Sequence, residues 1–316
     1  MRGWCFTATH APLQLLDVDE PTPGPGEVLL DIKAAGLCHS DVGVMTDPIW
    51  MSRVAFTPLI LGHEIAGVVS ALGEGVTEVK LGDRVGVCPT VGLGAPGFSR
   101  HGGFTTKYLA KPIELVPMPD SLSFDLAAMG TDAGMTSYHA MVSRGQVQAG
   151  MKVGVIGLGG LGQIGARVAV VRGAEVHVAE PNEAAWPTAR EIGAVSVVAD
   201  AAEWEGQGFD LIVDYAGFGT TTRAGVKAVR RKGRVVLVGM GKLEFTLDTM
   251  PMIISEVDVL GSTGGTRQDI ADVYELFASG QVDPKMTIID FNGIGRGLDD
   301  LQHHRITGRL VARPNS

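Results

Sequence analysis

From Met1 to about Leu122 the apolar positions come in short runs separated by turn residues. EVLLDIKAAG (Glu27–Gly36), IAGVVSALG (Ile65–Gly73) and DRVGVCP (Asp83–Pro89) are strand-length, and prolines and glycines punctuate them. That texture predicts a β-rich, barrel-like domain. From about Gly150 the pattern changes. MKVGVIG reads as a buried strand and LGQIGARVAVVRGA has the helical period. EVHVAE then reads as a strand, EAAWPTAREIGA as a helix, and FDLIVDYAG and GRVVLVGMG as strands with helical material between them. Repeated strand–helix units predict a parallel sheet with crossover helices. Pro187, inside the helix expected over Glu183–Gly193, fits best in its first turn. After Gly264–Gly265 a helix, RQDIADVYELFASGQ, leads to a β-like tail ending ITGRLVARP. The tail is expected to return to the first domain. The expected division is 1–133, completed by 265–316, and 134–264.

Composition narrows the class. The 316 residues suit two domains, and 45% hydrophobic against 19% charged residues allow a sizeable core. The net charge of -9 and the absence of a Lys/Arg run argue against a nucleic-acid partner. The longest apolar stretches, such as Val153–Ile156 and Val235–Met240, are strand-sized, so no membrane span is expected. MRGWCFTATH lacks the apolar core of a signal peptide. Three scattered cysteines, Cys5, Cys38 and Cys88, make no disulfide framework, and a reducing cytoplasm is the simplest location.

Gly157-Leu158-Gly159-Gly160-Leu161-Gly162 fits G-x-G-x-x-G. The pattern alone is weak in a chain with 44 glycines, but here it follows one strand and opens one helix. Gly157 allows the tight turn, Gly159 lets the backbone approach a pyrophosphate, and Gly162 lets helix and strand pack closely. The helix N-terminus then offers N–H groups to the phosphates. Glu180 ends the next strand, where the fingerprint places a carboxylate for the ribose hydroxyls. A carboxylate there repels a 2′-phosphate and favours NAD over NADP. Pairing of Glu180 with Arg190 is the alternative.

The stretches GLCHSD (Gly36–Asp41), GHEIAGVV (Gly62–Val69), GDRV (Gly82–Val85), GGF (Gly102–Phe104), DAGMTSYHA (Asp132–Ala140), GLGGLG and GRLVARP occur in one order. In that order they resemble the zinc-containing medium-chain dehydrogenases, the alcohol dehydrogenase superfamily, over nearly the whole chain. The resemblance implies an α/β protein with a GroES-like catalytic domain and a Rossmann dinucleotide-binding domain. It implies three protein ligands on one catalytic zinc, of which Cys38 and His63 match the first two. The third position, usually cysteine, is Asp132 here, as in a subset resembling bacterial secondary-alcohol dehydrogenases. Carboxylate oxygen is an accepted zinc donor. The alternative for Asp132 is the N-cap of the helix DAGMTSYHAMV. Asp41 matches the group that hydrogen-bonds the ligating histidine. The resemblance also implies a place behind the metal for Glu64, with a structural salt bridge as the alternative, and a proton-relay hydroxyl on Ser40. Thr136, Leu161, Val238, Met240 and Arg309 fall at cofactor positions.

Two departures stand out. The lobe that carries a second, structural zinc in most relatives would fall in Cys88–Gly102, which is short and has one cysteine, so no structural zinc is expected. Cys88 reads as a packed thiol near the substrate pocket. The relay histidine of many relatives is Gly43 here. His39 is a substitute for it or a contact to cofactor phosphate. Ile49, Trp50 and Met51, with Pro89 and Thr90 opposite, are expected to line an apolar pocket for a hydrophobic alcohol, a secondary alcohol among the candidates. The expected partners are that small molecule and further copies of the chain, as a dimer or tetramer. The rival readings are a zinc-free quinone or enone reductase of the same superfamily and a non-catalytic dinucleotide-binding protein.

Overall fold

A computed structural model describes residues 1–92 and 94–314. The chain divides into two compact units, one of Met1–Met135, Thr266–Gly280 and Lys285 onward, the other of Thr136–Gly265 with Gln281–Pro284.

The first unit is built on Val28–Leu37, a ten-residue strand buried along most of its length. It pairs antiparallel with Glu64–Leu72, Lys107–Ala110 and Arg309–Arg313. The sheet runs on through Arg84–Val87 and Leu115–Pro117 on one side and ends in Met286–Asp290 on the other. The tail thus returns to the first unit, with Leu310 opposite Leu37 and Ala312 opposite Ala35. A smaller sheet joins Gln14–Asp17, Arg2–Phe6 and Leu59–Ile60. Phe6, Leu30, Ile32, Leu37, Ile65, Val85 and Phe104 share one buried core. A helical run starts at Phe124, where Ser123 Oγ accepts the Leu126 N–H at 3.3 Å as N-cap. Arg313 holds Asp125 of its first turn with two bonds of 2.9 and 2.6 Å, tying the helix start to the last strand.

The second unit is a six-stranded parallel sheet in the order Ser196–Val198, Glu175–Ala179, Lys152–Ile156, Phe209–Asp214, Val229–Leu237, Asp258–Gly261. Central strands covered on both faces read as continuous apolar runs, which is why KVGVI and FDLIVD are buried nearly throughout. The order reverses beside Lys152–Ile156. In such sheets ligands bind outside the carboxyl ends at that reversal. The helix with Pro187 is Trp186–Ile192, and the proline sits in its first turn. Among the described residues no helix is long and apolar enough to cross a membrane.

Candidate active site

In the first unit, two strand ends and one helix converge. Cys38 lies at the end of Val28–Leu37 and caps the short helix His39–Thr46, while His63 immediately precedes the strand Glu64–Leu72. Asp132 sits well inside the helical run that Ser123 caps, in a π-helical stretch, Gly130–Gly134. It therefore cannot be an N-cap. An inserted residue of this kind redirects one helical side chain and recurs at functional sites.

These three residues and Glu64 each offer a donor atom, and the four atoms lie within 4.8 Å of one another. His63 Nε2 is 3.4 Å and Cys38 Sγ 3.9 Å from Asp132 Oδ2. A tetrahedral zinc with ligands at roughly 2.0–2.3 Å needs donors about 3.3–3.8 Å apart, so the spacing fits. The chemistry of the set fits as well: one thiol, one imidazole and carboxylates in a largely buried place. Burial alone would lower the His63 pKa, but Asp41 and Asp132 outweigh it and hold the ring well above the usual histidine value. The residues thus create a field that favours a cation at this point.

Groups behind the donors fix them. Asp41 Oδ2 accepts the Cys38 N–H at 3.1 Å and its Oδ1 accepts the Gly62 N–H at 3.2 Å. The same Oδ1 is 3.3 Å from His63 Nδ1, close enough for charge attraction though not aligned as a hydrogen bond. Glu64 and Arg309, both buried, are ion-paired through Oε1 and Nη2. Burial drives the Glu64 carboxyl up to about 7 against the pull of Arg309. Its Oε2 has no hydrogen-bond partner, a costly state for a buried oxygen. Arg309 is turned inward on Glu64 and only 3% exposed. The salt bridge expected as the alternative for Glu64 thus exists, and the same carboxylate still faces the donor cluster.

Ser40 Oγ is 3.8 Å from Cys38 Sγ. Trp50 packs over Gly43, where an added Cβ would come within 2.8 Å of the indole. A side chain at the position of the missing relay histidine would require the Trp50 indole to shift. Phe98 packs 5.4 Å from the His63 ring and 6.2 Å from Trp50, centroid to centroid. The sequence offered no signal for Phe98, which stands in a glycine-rich loop. Ile49 is 57% exposed, Pro89 is buried and Thr90 exposed. Cys88 is buried with Sγ 3.2 Å from Thr90 Oγ1. His39 stacks on His304 at 6.0 Å, and burial, then Arg309 and His304, lower its pKa.

In the second unit the glycine turn has the expected form. Gly157 has φ of 85°, and a Cβ on Gly162 would lie 1.8 Å from the Gly157 carbonyl oxygen. No atom lies within 4 Å of a Cβ built on Gly159, so that side is open to a ligand. Gly160 is half-buried and Leu161 stands at the helix N-cap position. Ser137 Oγ donates to the Leu161 carbonyl at 2.9 Å, beside Thr136. Glu180 does not pair with Arg190 among the described residues. Its Oε2 accepts the Leu158 N–H at 2.7 Å and its Oε1 the Asn182 N–H at 2.9 Å. It thereby fastens the turn to the second strand. Val238 and the exposed Met240 follow the carboxyl end of Val229–Leu237.

Comparison with known proteins meets this geometry. Residues 24–120 match the model of the alcohol dehydrogenase GroES-like domain, and residues 160–279 that of the zinc-binding dehydrogenases. An alcohol dehydrogenase of Geobacillus stearothermophilus is 32% identical over 96% of both chains. The chain belongs to the alcohol dehydrogenase family. Among solved structures, the acetophenone reductase of Geotrichum candidum in complex with NAD superposes with a TM-score of 0.91 at 30% identity, covering 99% of this chain and 97% of that one. The alcohol dehydrogenase of Aeropyrum pernix has a TM-score of 0.91 at 27% identity, covering 99% and 100%. As a family member the chain is an oxidoreductase of alcohols and carbonyls, and both family domains correspond to regions described above.

Proposed function

We propose that this dehydrogenase uses one zinc ion and NAD to interconvert a hydrophobic, secondary alcohol and its ketone. The observation that carries this reading is the cluster of Cys38, His63 and Asp132 donors in one largely buried place. When bound there, zinc supplies Lewis acidity toward an alcohol or carbonyl oxygen and the nicotinamide supplies the hydride carrier. The chain's own residues do the rest. Cys38, His63 and Asp132 hold the metal. Two negative ligands balance its charge. Asp41 orients His63, and Glu64 stands as a reserve carboxylate restrained by Arg309. Ser40 takes the substrate proton at its hydroxyl, and solvent or His39 takes it onward, since Trp50 occupies the relay histidine's space. Trp50 and Phe98 close an apolar wall beside His63, joined by Ile49 and Pro89. Gly157, Gly159, Gly160, Leu161 and Gly162 receive the pyrophosphate, Glu180 the ribose, and Thr136, Val238 and Met240 the nicotinamide half.

The reductase relative named for acetophenone, a hydrophobic ketone, supports the substrate class. Three free, buried cysteines support a reducing, cytoplasmic setting. The partners are a small molecule and other copies of the chain, with neither nucleic acid nor membrane. A panel of alcohols and ketones, read by nicotinamide absorbance with NAD and with NADP, tests the reading alongside elemental analysis. One zinc per chain and turnover of hydrophobic substrates with NAD are expected. An active preparation without zinc would overturn it.

A further inference from the structure

The aromatic wall beside His63 ends in a cation. Arg53 closes the short 3-10 helix Pro48–Arg53, and its guanidinium carbon stands 5.4 Å from the Phe98 ring and 5.7 Å from the Trp50 ring, measured to the centroids. Both contacts lie within the roughly 6 Å over which a cation is drawn to an aromatic face. The wall itself is held from several sides. Asp47 Oδ1 accepts the Ile49 N–H at 3.0 Å and caps the helix, and Trp50 fills the space over Gly43. The Phe98 carbonyl accepts the Ala55 N–H at 3.1 Å, which ties the chain just after Arg53 to the loop that carries the second ring. Phe98 is also 5.4 Å from the His63 ring, so the guanidinium lies no farther than about 11 Å from that metal-site imidazole.

Among the described residues Arg53 makes no hydrogen bond and no ion pair; the two rings are its contacts. Three other arginines that stand over rings differ in this. Arg84 donates to the Asp120 carbonyl, Arg100 to the Glu114 carboxylate and Arg172 to the Tyr138 hydroxyl. Arg53 keeps its whole fork of five N–H donors uncommitted. Two structural uses do not explain that. A cation in a last turn suits the helix dipole, and a long stem covers apolar rings, but lysine would serve both, and neither needs a planar donor group turned to no partner. The net charge of -9 sharpens the point. In a chain that repels anions overall, an unpaired cation beside the site offsets that repulsion locally.

We propose that Arg53 determines specificity at the far end of the substrate by receiving a carboxylate. The preferred substrates are then oxo and hydroxy acids whose carboxylate is separated from the reacting carbon by an aromatic or short apolar spacer. The carboxylate takes the two parallel N–H bonds that a guanidinium offers. The spacer lies along Trp50 and Phe98, and the reacting oxygen sits at the cluster of Cys38, His63 and Asp132. The proposal rests on the reading of that cluster and wall as the alcohol site, and it narrows the hydrophobic substrate to an amphipathic one.

The test compares 4-acetylbenzoate with 4-acetylbenzamide, which share ring and ketone and differ in charge. Each is measured as a substrate with NADH, and as a ligand by calorimetry in the presence of zinc and NAD, with which a ketone does not react. The wild type should favour the acid at least about fivefold, the upper range for an exposed ion pair, in kcat/KM and in dissociation constant. The effect should fall on KM, since a group remote from the reacting carbon is bound alike in ground and transition states. About 0.5 M salt should shrink it. Arg53→Met, which keeps an apolar stem, should abolish the preference, Arg53→Glu should reverse it, and Arg53→Lys should keep part of it. A purely structural role would move both compounds together and leave their ratio alone. A wild type that treats the two alike or binds neither overturns the proposal, as does an Arg53→Met variant that still prefers the acid. An enzyme that binds the acid through Arg53 yet reduces no ketone with NADH upholds the anion site and counts against the zinc and NAD reading alone.

Discussion

Replacing Asp132 with asparagine keeps the shape of the side chain and removes its charge. In the structure the residue lies within a helical run that Ser123 caps, so the substitution removes no cap. Helix propensities of Asp and Asn are close, but the substitution also removes the charge that faces the buried His63 at 3.4 Å, so the metal-free proteins are compared first and the effect of zinc is read within each variant. Losses around a metal commonly cost about 10–100-fold in affinity, or roughly 1.4–2.7 kcal/mol. With zinc at 100 times the wild-type dissociation constant, binding stabilises the wild type by about 2.7 kcal/mol. By the same relation the weakened variant would gain only about 0.4–1.4 kcal/mol. The assay is a pair of calorimetric melts, with zinc and with a chelator, together with competition for zinc by a coloured chelator. The difference between the melts with zinc and with chelator should shrink by half or more in Asp132→Asn. Asp132→Cys should keep measurable metal. A variant with asparagine that competes for zinc as well as the wild type and turns over at full rate would refute the ligand role.

Glu180→Gln should relax the preference for NAD over NADP, measured as the ratio of kcat/KM for the two cofactors; a wild type faster with NADP would sink the assignment. Gly162→Ala would set a Cβ 1.8 Å from the Gly157 carbonyl oxygen, so the turn must open; quenching of intrinsic fluorescence by NADH should show binding weakened at least about tenfold, and unchanged binding counts against the phosphate-turn reading. Phe98→Ala, which leaves a cavity beside His63, should cost about 3–5 kcal/mol in urea melts if the site is rigid. Asp210 concerns pH. Burial raises its pKa, but Arg230 at 2.6 Å and the Lys152 N–H at 2.7 Å outweigh that and leave it below the ordinary carboxylate value. Its stabilisation is present above the unfolded pKa of about 3.9 and is lost as pH falls through the lower folded value. The stability gap between wild type and Asp210→Asn in urea melts should therefore be widest near neutrality and close toward pH 3; a gap that widens on acidification would reverse the sign of this argument.

The sequence by itself determined much of the framework. Periodicity of two and of 3.6 separates the β-rich unit from the strand–helix unit, because backbone geometry repeats locally and needs no distant partner. The turn at Gly157–Gly162 was legible for the same reason. Gly157 is called for by its own positive φ and Gly162 by a neighbour five residues away, since a would-be Cβ on Gly162 falls against Gly157. Glu180 was legible in position but not in its bonds, since its hold on the Leu158 N–H crosses between two strands.

Tertiary structure decided the rest. Cys38 and Asp132 stand 94 positions apart, and only the packing of a strand end on a π-helical stretch sets their donors 3.9 Å apart. Periodicity does not announce that extra helical residue, and so the sequence left the N-cap open for Asp132. Arg309 reaches Glu64 across 245 positions through the return of the last strand. The sequence marks both as charged but cannot say that each is the other's partner. Gly43 reads as a missing histidine in the sequence; in the structure it is the seat of Trp50, a steric fact that exists only once the two side chains are packed. Local patterns set which elements form, while the desolvated charges and close contacts of the site depend on elements that meet only in the folded chain.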